Sequence, residues 1–174
     1  MPMTFIRDRR GSAAVEFAFI APIMLLMYFG LAEMTQAMMA GNRAQHVAST
    51  VGDLVSQTPA IDQQSLDDVW LVADAIMKPF PTGSLSMRIT SVKADAAGTA
   101  SLGSLHKAKG SALPELTAVP TLPAGLLTAN ESILVAESSY TYTSPIQQTL
   151  PHPVTFKAIY YLKPRKSTEV LWIN

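Results

Sequence analysis

Apolar residues are concentrated in one long run near the N-terminus. Between Phe17 and Ala40 the only charged residue is Glu33, and about 20 apolar residues are enough to cross a bilayer as a helix. The helical pattern continues into polar sequence until Thr58-Pro59, where proline disfavours further helix. We therefore predict a helix over residues 12–56 with a transmembrane span at about 17–40.

The remaining chain alternates between shorter helical and strand patterns. Apolar residues at three- and four-residue spacing predict a second helix over Asp62–Lys78, with Ser65 and Asp68 as its capping box. Alternation of apolar and polar residues predicts a half-buried strand at Ser84–Lys93 and two further strands at Ile133–Thr143 and Val154–Lys163. The last two strands are expected to pair antiparallel across the connection between them.

Residues 95–125 have a different composition. Four glycines, three prolines and many small polar residues occur there with few apolar ones. We interpret residues 95–125 as a long loop, with one short strand near Ala100–His106 as an option, and as a candidate for contact with a partner. The elements together predict an α+β fold with a long N-terminal transmembrane helix, a short helix and an antiparallel sheet of three or four strands.

Composition narrows the possible functions. The formal net charge is zero without a basic patch, which makes nucleic acid an improbable partner. The chain has no cysteine, which excludes disulfides and thiolate metal sites. His46, His106 and His152 lie in different predicted elements, and no nucleophile or phosphate-binding motif occurs. We expect no enzyme activity, no cofactor and no metal.

Charges before the apolar run predict its orientation. Arg7, Arg9 and Arg10 precede the run, and Arg43 is the only arginine or lysine in the following stretch up to Lys78. Arginines next to a span remain on the cytoplasmic side, so the C-terminal domain is expected on the outer side of the membrane. A cleaved secretory signal peptide is the alternative, but its apolar core is shorter and would begin where Glu16 stands.

The segment Arg9-Arg10-Gly11-Ser12-Ala13-Ala14-Val15-Glu16-Phe17-Ala18, followed by an apolar helix with Pro22, resembles the N-terminus of TadE-like pseudopilins. These are minor pilin-like proteins of tight-adherence (Flp-type) pilus systems. The alternating strands around Tyr140 and before Pro164 are similar to the C-terminal half of the same family.

The resemblance implies processing by a prepilin peptidase. Cleavage would fall between Gly11 and Ser12, which makes Glu16 the fifth residue of the mature chain and Phe17 the aromatic residue beside it. Residues 1–11 would then be a cytoplasmic leader, and residues 60–174 the extracytoplasmic TadE-like domain. The implied partners are the peptidase, other pilin-like subunits and the inner-membrane assembly platform.

Two further features of the helix bear on packing. Small residues recur every four positions at Ala40, Ala44, Ala48 and Gly52, and they permit close approach either of the chain's own domain or of another pilin-like helix. Glu33 falls about 25 Å beyond Glu16 at about 1.5 Å per residue. We interpret Glu33 as a boundary marker at the opposite membrane interface, where a charge costs little.

Two other classes of function remain open at this point. The chain can be an uncleaved single-pass anchor that carries a periplasmic assembly or envelope-binding module. It can also be an anchored hydrolase, which would require His106 or His152 to lie beside an acid and a hydroxyl in a cleft. Whether a pilin-like subunit enters the filament or stays at its base does not follow from the sequence.

Overall fold

A computed structural model describes residues 11–147 and 149–173. Within these residues, two helices and six strands form in the following order: α1 (Ser12–Ser56), β1 (Ala60–Ile61), α2 (Gln63–Met77), β2 (Leu85–Ala94), β3 (Ala100–Lys109), β4 (Ser132–Tyr142), β5 (Val154–Leu162) and β6 (Leu171–Trp172). The predicted α+β class is confirmed, with a long helix, a short helix and an antiparallel sheet.

The first helix has the bounds that its sequence pattern predicts. It runs without interruption through Pro22 to Ser56. At its end, the backbone amides of Gln57 and Thr58 donate to the carbonyls of Leu54 and Val55 at 3.3 and 3.1 Å. These tighter bonds satisfy carbonyls of the last turn before Pro59 stops the helix.

Helix α2 begins one turn earlier than its predicted capping box. The Asp62 side chain accepts a hydrogen bond from the Ser65 amide at 2.8 Å, so Asp62 is the N-cap and the Ser65–Asp68 box is wrong. The hydrogen bonds from Ser65 hold the pKa of the Asp62 carboxyl below its ordinary value. The face predicted to be apolar is buried at Leu66, Trp70, Ala73 and Met77.

Four strands of the described chain form one antiparallel sheet in the order β3-β2-β4-β5. The predicted pairing of the last two long strands is confirmed, with Ser138 opposite Ala158. The two-residue strands β1 and β6 pair in parallel as a separate small sheet. Neither of them was predicted, because two residues carry no periodicity.

Strand β2 is buried on both faces, which corrects the prediction of a half-buried strand. On the face with Val92, Ile133 and Val135, the sheet is covered by apolar residues of the β3–β4 connection: Val119, Leu122, Leu126 and Leu127. The predicted loop at 95–125 thus contains a full strand, β3, and the connection after it covers the chain's own sheet.

The chain divides into two compact units. The first consists of the chain up to Ala37 together with Thr143–Pro153, which is the connection between β4 and β5. The second consists of Met38–Tyr142 and the chain from Val154 onward, and it contains the whole four-stranded sheet. The candidate functional residues of the N-terminal half therefore fall into two separate sets.

Candidate functional site

The predicted processing segment lies at the start of α1. Gly11 and Ser12 are exposed, and the Ser12 hydroxyl donates to Glu16 Oε1 at 3.0 Å. Phe17 follows with its ring exposed. The predicted leader charges, Arg7, Arg9 and Arg10, lie outside the described residues. The structure brings Gly11, Ser12 and Glu16 together on one exposed helical turn.

The first half of α1 presents apolar side chains to its surroundings on every face. Eighteen residues of this helix have a mean hydropathy of 2.0, and none of that stretch is buried within the protein. The large exposed apolar side chains of α1 are Val15, Phe17, Phe19, Ile20, Ile23, Met24, Leu25, Leu26, Met27, Tyr28, Phe29, Leu31, Met34, Met38 and Met39, and most of them lie in its first half. A helix that is apolar all round is typical of a membrane span, and this one is consistent with a single-pass anchor.

The stripe of small residues on α1 packs against the sheet of the second unit. Ala40, Ala44 and Ala48 are buried, and Ser138 Oγ donates to the Ala44 carbonyl at 2.7 Å. A Cβ atom added at Gly52 would lie 2.6 Å from Leu162 Cδ1. Of the two packing partners considered for this stripe, the structure shows the chain's own sheet.

Glu33 is the functional residue that sequence reasoning missed. It is 2% exposed, and its Oε1 accepts a hydrogen bond from Ser144 Oγ at 2.8 Å. Its Oε2 accepts from the backbone amides of Thr149 and Leu150 at 2.7 and 3.0 Å, and from the Thr149 hydroxyl. The carboxylate therefore holds a segment of chain against the helix, a contact that the interpretation of Glu33 as a boundary marker did not include.

The segment held by Glu33 is Thr143–Pro153, which we call the strap. At Gly30 the strap approaches the helix so closely that an added Cβ would lie 2.9 Å from Thr149 Cγ2. Ser144 also receives the Ile146 and Gln147 amides at 3.3 Å, which shapes the strap around its hydroxyl. Beside the contact, a groove of about 540 Å³ is lined by Met24, Leu26, Met27, Tyr28, Gly30, Leu31, Met34 and Thr149.

Most of α1 lies in a segment of sequence that matches a known protein family. Residues 11–53 match the family model described as TadE-like protein. The chain carries a TadE-like segment. The suspected resemblance is thereby confirmed over that segment, which is about a quarter of the chain, whereas the resemblance seen in the C-terminal strands lies outside the match. No curated protein and no solved structure matches the chain.

The TadE-like segment contains both the predicted processing residues and Glu33. It ends at residue 53, within the last turn of α1.

Chemistry outside the TadE-like segment is sparse in the described chain. Within residues 11–147 and 149–173, no group of His, Asp and Glu residues is arranged to hold a metal ion. His106 contacts the Gly103 carbonyl at 3.3 Å, and His152 lies exposed on the strap. Tyr140 is buried in the core, its hydroxyl donates to the Pro81 carbonyl at 3.1 Å, and burial raises its pKa. Tyr140 is therefore a core residue, and neither histidine is part of a metal-binding group in this part of the chain.

Proposed function

We propose that the chain is a minor pilin-like subunit of a tight-adherence pilus system, anchored in the bacterial inner membrane and cut by a prepilin peptidase after Gly11. The observation that carries the proposal is the TadE-like segment, in which Gly11, Ser12 and Glu16 share one exposed turn at the start of an exposed apolar helix. The subunit acts by assembly rather than by catalysis.

Cleavage would give Glu16 a specific partner. A new α-amine on Ser12, with an ordinary pKa of about 7.7–8.0, would carry a positive charge at the membrane face. An isolated carboxylate in a span costs about 2.5–3.5 kcal/mol at the helix centre. Pairing the amine of one subunit with Glu16 of its neighbour removes both isolated charges and sets the register of the two helices. In the single chain, Glu16 accepts a hydrogen bond from the Ser12 hydroxyl of its own helix.

Contacts between subunits would use the exposed part of α1. The stripe of Ala40, Ala44, Ala48 and Gly52 is buried against the chain's own sheet, so packing of α1 on a second helix at this stripe would require the sheet to separate from it. The apolar side chains between Val15 and Leu31 are exposed and need no such rearrangement. Other pilin-like subunits and the assembly platform are the partners proposed for that surface.

The mature N-terminus tests the proposal directly. The protein is purified from its native membrane, and its N-terminal peptide is identified by mass spectrometry for the natural sequence, for Gly11→Ala and for Gly83→Ala. A chain that starts at Ser12, except in Gly11→Ala, is the expected result. Gly83→Ala is the matched control, because Gly83 lies in an open turn of the second unit with nothing near its Cβ position.

Other starting residues would contradict the proposal. A chain that starts at Met1 or Pro2 would refute processing and favour the uncleaved anchor with an assembly or envelope-binding module. A start downstream of Glu33 would identify residues 1–33 as a removed signal peptide.

A further inference from the structure

The backbone of the strap limits how deep in a membrane the adjoining turn of α1 can lie. Its described residues form neither helix nor strand, and Pro145, Pro151 and Pro153 lie within it. Thr143, Gln147 and His152 are exposed polar residues of the strap. Irregular backbone with polar side chains does not lie exposed to lipid in the hydrocarbon region, because its amides and carbonyls would lose water without other partners. The helical turn that holds the strap must therefore lie outside the hydrocarbon.

Two aromatic residues about one turn before Glu33 indicate the same depth. Tyr28 and Phe29 are both exposed, and their rings contact edge to face with centroids 5.6 Å apart. Tyrosine is enriched where a membrane protein crosses from hydrocarbon to headgroups, because its ring is apolar and its hydroxyl remains wet. Tyr28 precedes the strap contacts at Gly30 and Glu33 by less than two helical turns.

We propose that the membrane boundary on the domain side lies at Tyr28–Glu33, and that the strap rests in the lipid headgroup layer, held there by Glu33. The strap is then a membrane-contact surface whose occupant is the headgroup layer itself. Ile146 is its exposed large apolar residue and lies among the headgroups. The inference rests on the proposed membrane anchor but does not depend on cleavage after Gly11.

This boundary changes the predicted span of about 17–40. From Phe17 to Gly30 the helix rises only about 20 Å at 1.5 Å per residue, which is too short for a hydrocarbon core of about 30 Å. From Ser12 to Gly30 it rises about 27 Å, which fits. The hydrocarbon segment would thus be residues 12–30, with Glu16 inside it, and this increases the need for a partner of the Glu16 carboxylate.

Single spin labels can measure these depths, because the natural chain has no cysteine. Ile20→Cys, Leu31→Cys and Ile146→Cys are labelled one at a time in the full chain. Each is reconstituted in vesicles of phosphatidylethanolamine and phosphatidylglycerol. Electron paramagnetic resonance then compares collisions of the label with oxygen and with a water-soluble nickel chelate. Ile20 and Leu31 are a matched pair, since both are large exposed apolar residues of the same helix.

A span of residues 12–30 places position 20 deeper in the membrane than position 31, whereas a span of about 17–40 places position 31 deeper. We expect the label at position 20 near the midplane and the label at position 31 about 13 Å shallower, in the headgroup layer. The label at position 146 should also lie in the headgroup layer, and adding Glu33→Ala should shift position 146 alone toward water, because Glu33 holds the strap.

A label at position 31 that lies deeper than the one at position 20 would overturn the boundary. A label at position 146 in bulk water would overturn the contact of the strap with lipid. Labels that are all accessible to the nickel chelate would refute the membrane anchor itself. A chain that shows the expected depths but is uncut at Gly11 would refute only the proposed processing.

Discussion

Removal of the Glu33 carboxylate should free the strap from α1. The perturbation is Glu33→Ala, compared with Glu33→Gln, because the carboxylate uses both oxygens: one accepts from Ser144 and the other from the Thr149 and Leu150 amides. A hydrogen bond to a charged group contributes about 1.5–3 kcal/mol. The Ser144 and Thr149 hydroxyls can form hydrogen bonds with water after the substitution. The expected loss of stability therefore counts only the two amide hydrogen bonds, each at the lower limit of this range.

The expected loss is therefore about 3 kcal/mol of local stability in Glu33→Ala. Since 1.4 kcal/mol corresponds to a factor of ten, exchange of the Thr149 and Leu150 amides with deuterium should accelerate about 100-fold. Glu33→Gln keeps one acceptor oxygen for these amides and can direct its NH₂ group toward Ser144 Oγ. Its acceleration should stay below about tenfold.

The assay is hydrogen–deuterium exchange of the full chain in detergent micelles or vesicles, read at the two amides. Glu115→Ala is the matched control, because Glu115 is a half-exposed glutamate whose ion pair with Lys107 has a long N–O distance of 3.8 Å. Unchanged exchange in Glu33→Ala would refute the conclusion that Glu33 holds the strap on α1. Equal acceleration in Glu33→Gln and Glu33→Ala would show that the acceptor oxygen kept by glutamine does not protect the two amides. That result would refute the assignment of one Glu33 oxygen to these amides.

Three further predictions concern the second unit. Gly52→Ala should lower the free energy of unfolding by about 1–2 kcal/mol, since the added methyl meets side chains of β4 and β5, whereas Gly83→Ala should be neutral; thermal unfolding compares them. Arg88→Met should cost about 3–5 kcal/mol in denaturant unfolding, because it leaves the largely buried Glu137 carboxylate without its partner at 2.6 Å, and replacing both residues with apolar ones should cost less. Because the folded-state pKa of Asp62 is lowered, its stabilising effect should be complete above the ordinary pKa of 3.8 and disappear as pH falls through the folded value; NMR titration of its carboxyl, with loss of the effect in an Asn variant, checks this.

Local patterns determined much of the fold. The bounds of α1 follow from an apolar run, an unbroken helical period and a Thr-Pro stop, all of which act within a few residues. The long strands β4 and β5 follow from alternation, which predicts that they exist but not that β4, like β2, is buried on both faces. The prediction of Gly11, Ser12 and Glu16 as a processing segment likewise rests on a contiguous pattern, and it stays a prediction.

Tertiary structure decided the features that depend on residues far apart in the chain. Ser144 is 111 positions from Glu33, and no periodicity relates a carboxylate in an apolar helix to the connection between two strands. Only folding brings the Thr149 and Leu150 amides to the helix, where Glu33 accepts their hydrogen bonds. A residue that looks like a charge at a membrane edge thereby becomes the anchor of the strap. The same reason explains β2, whose second face is buried by leucines of the β3–β4 connection that show no strand or helix pattern of their own.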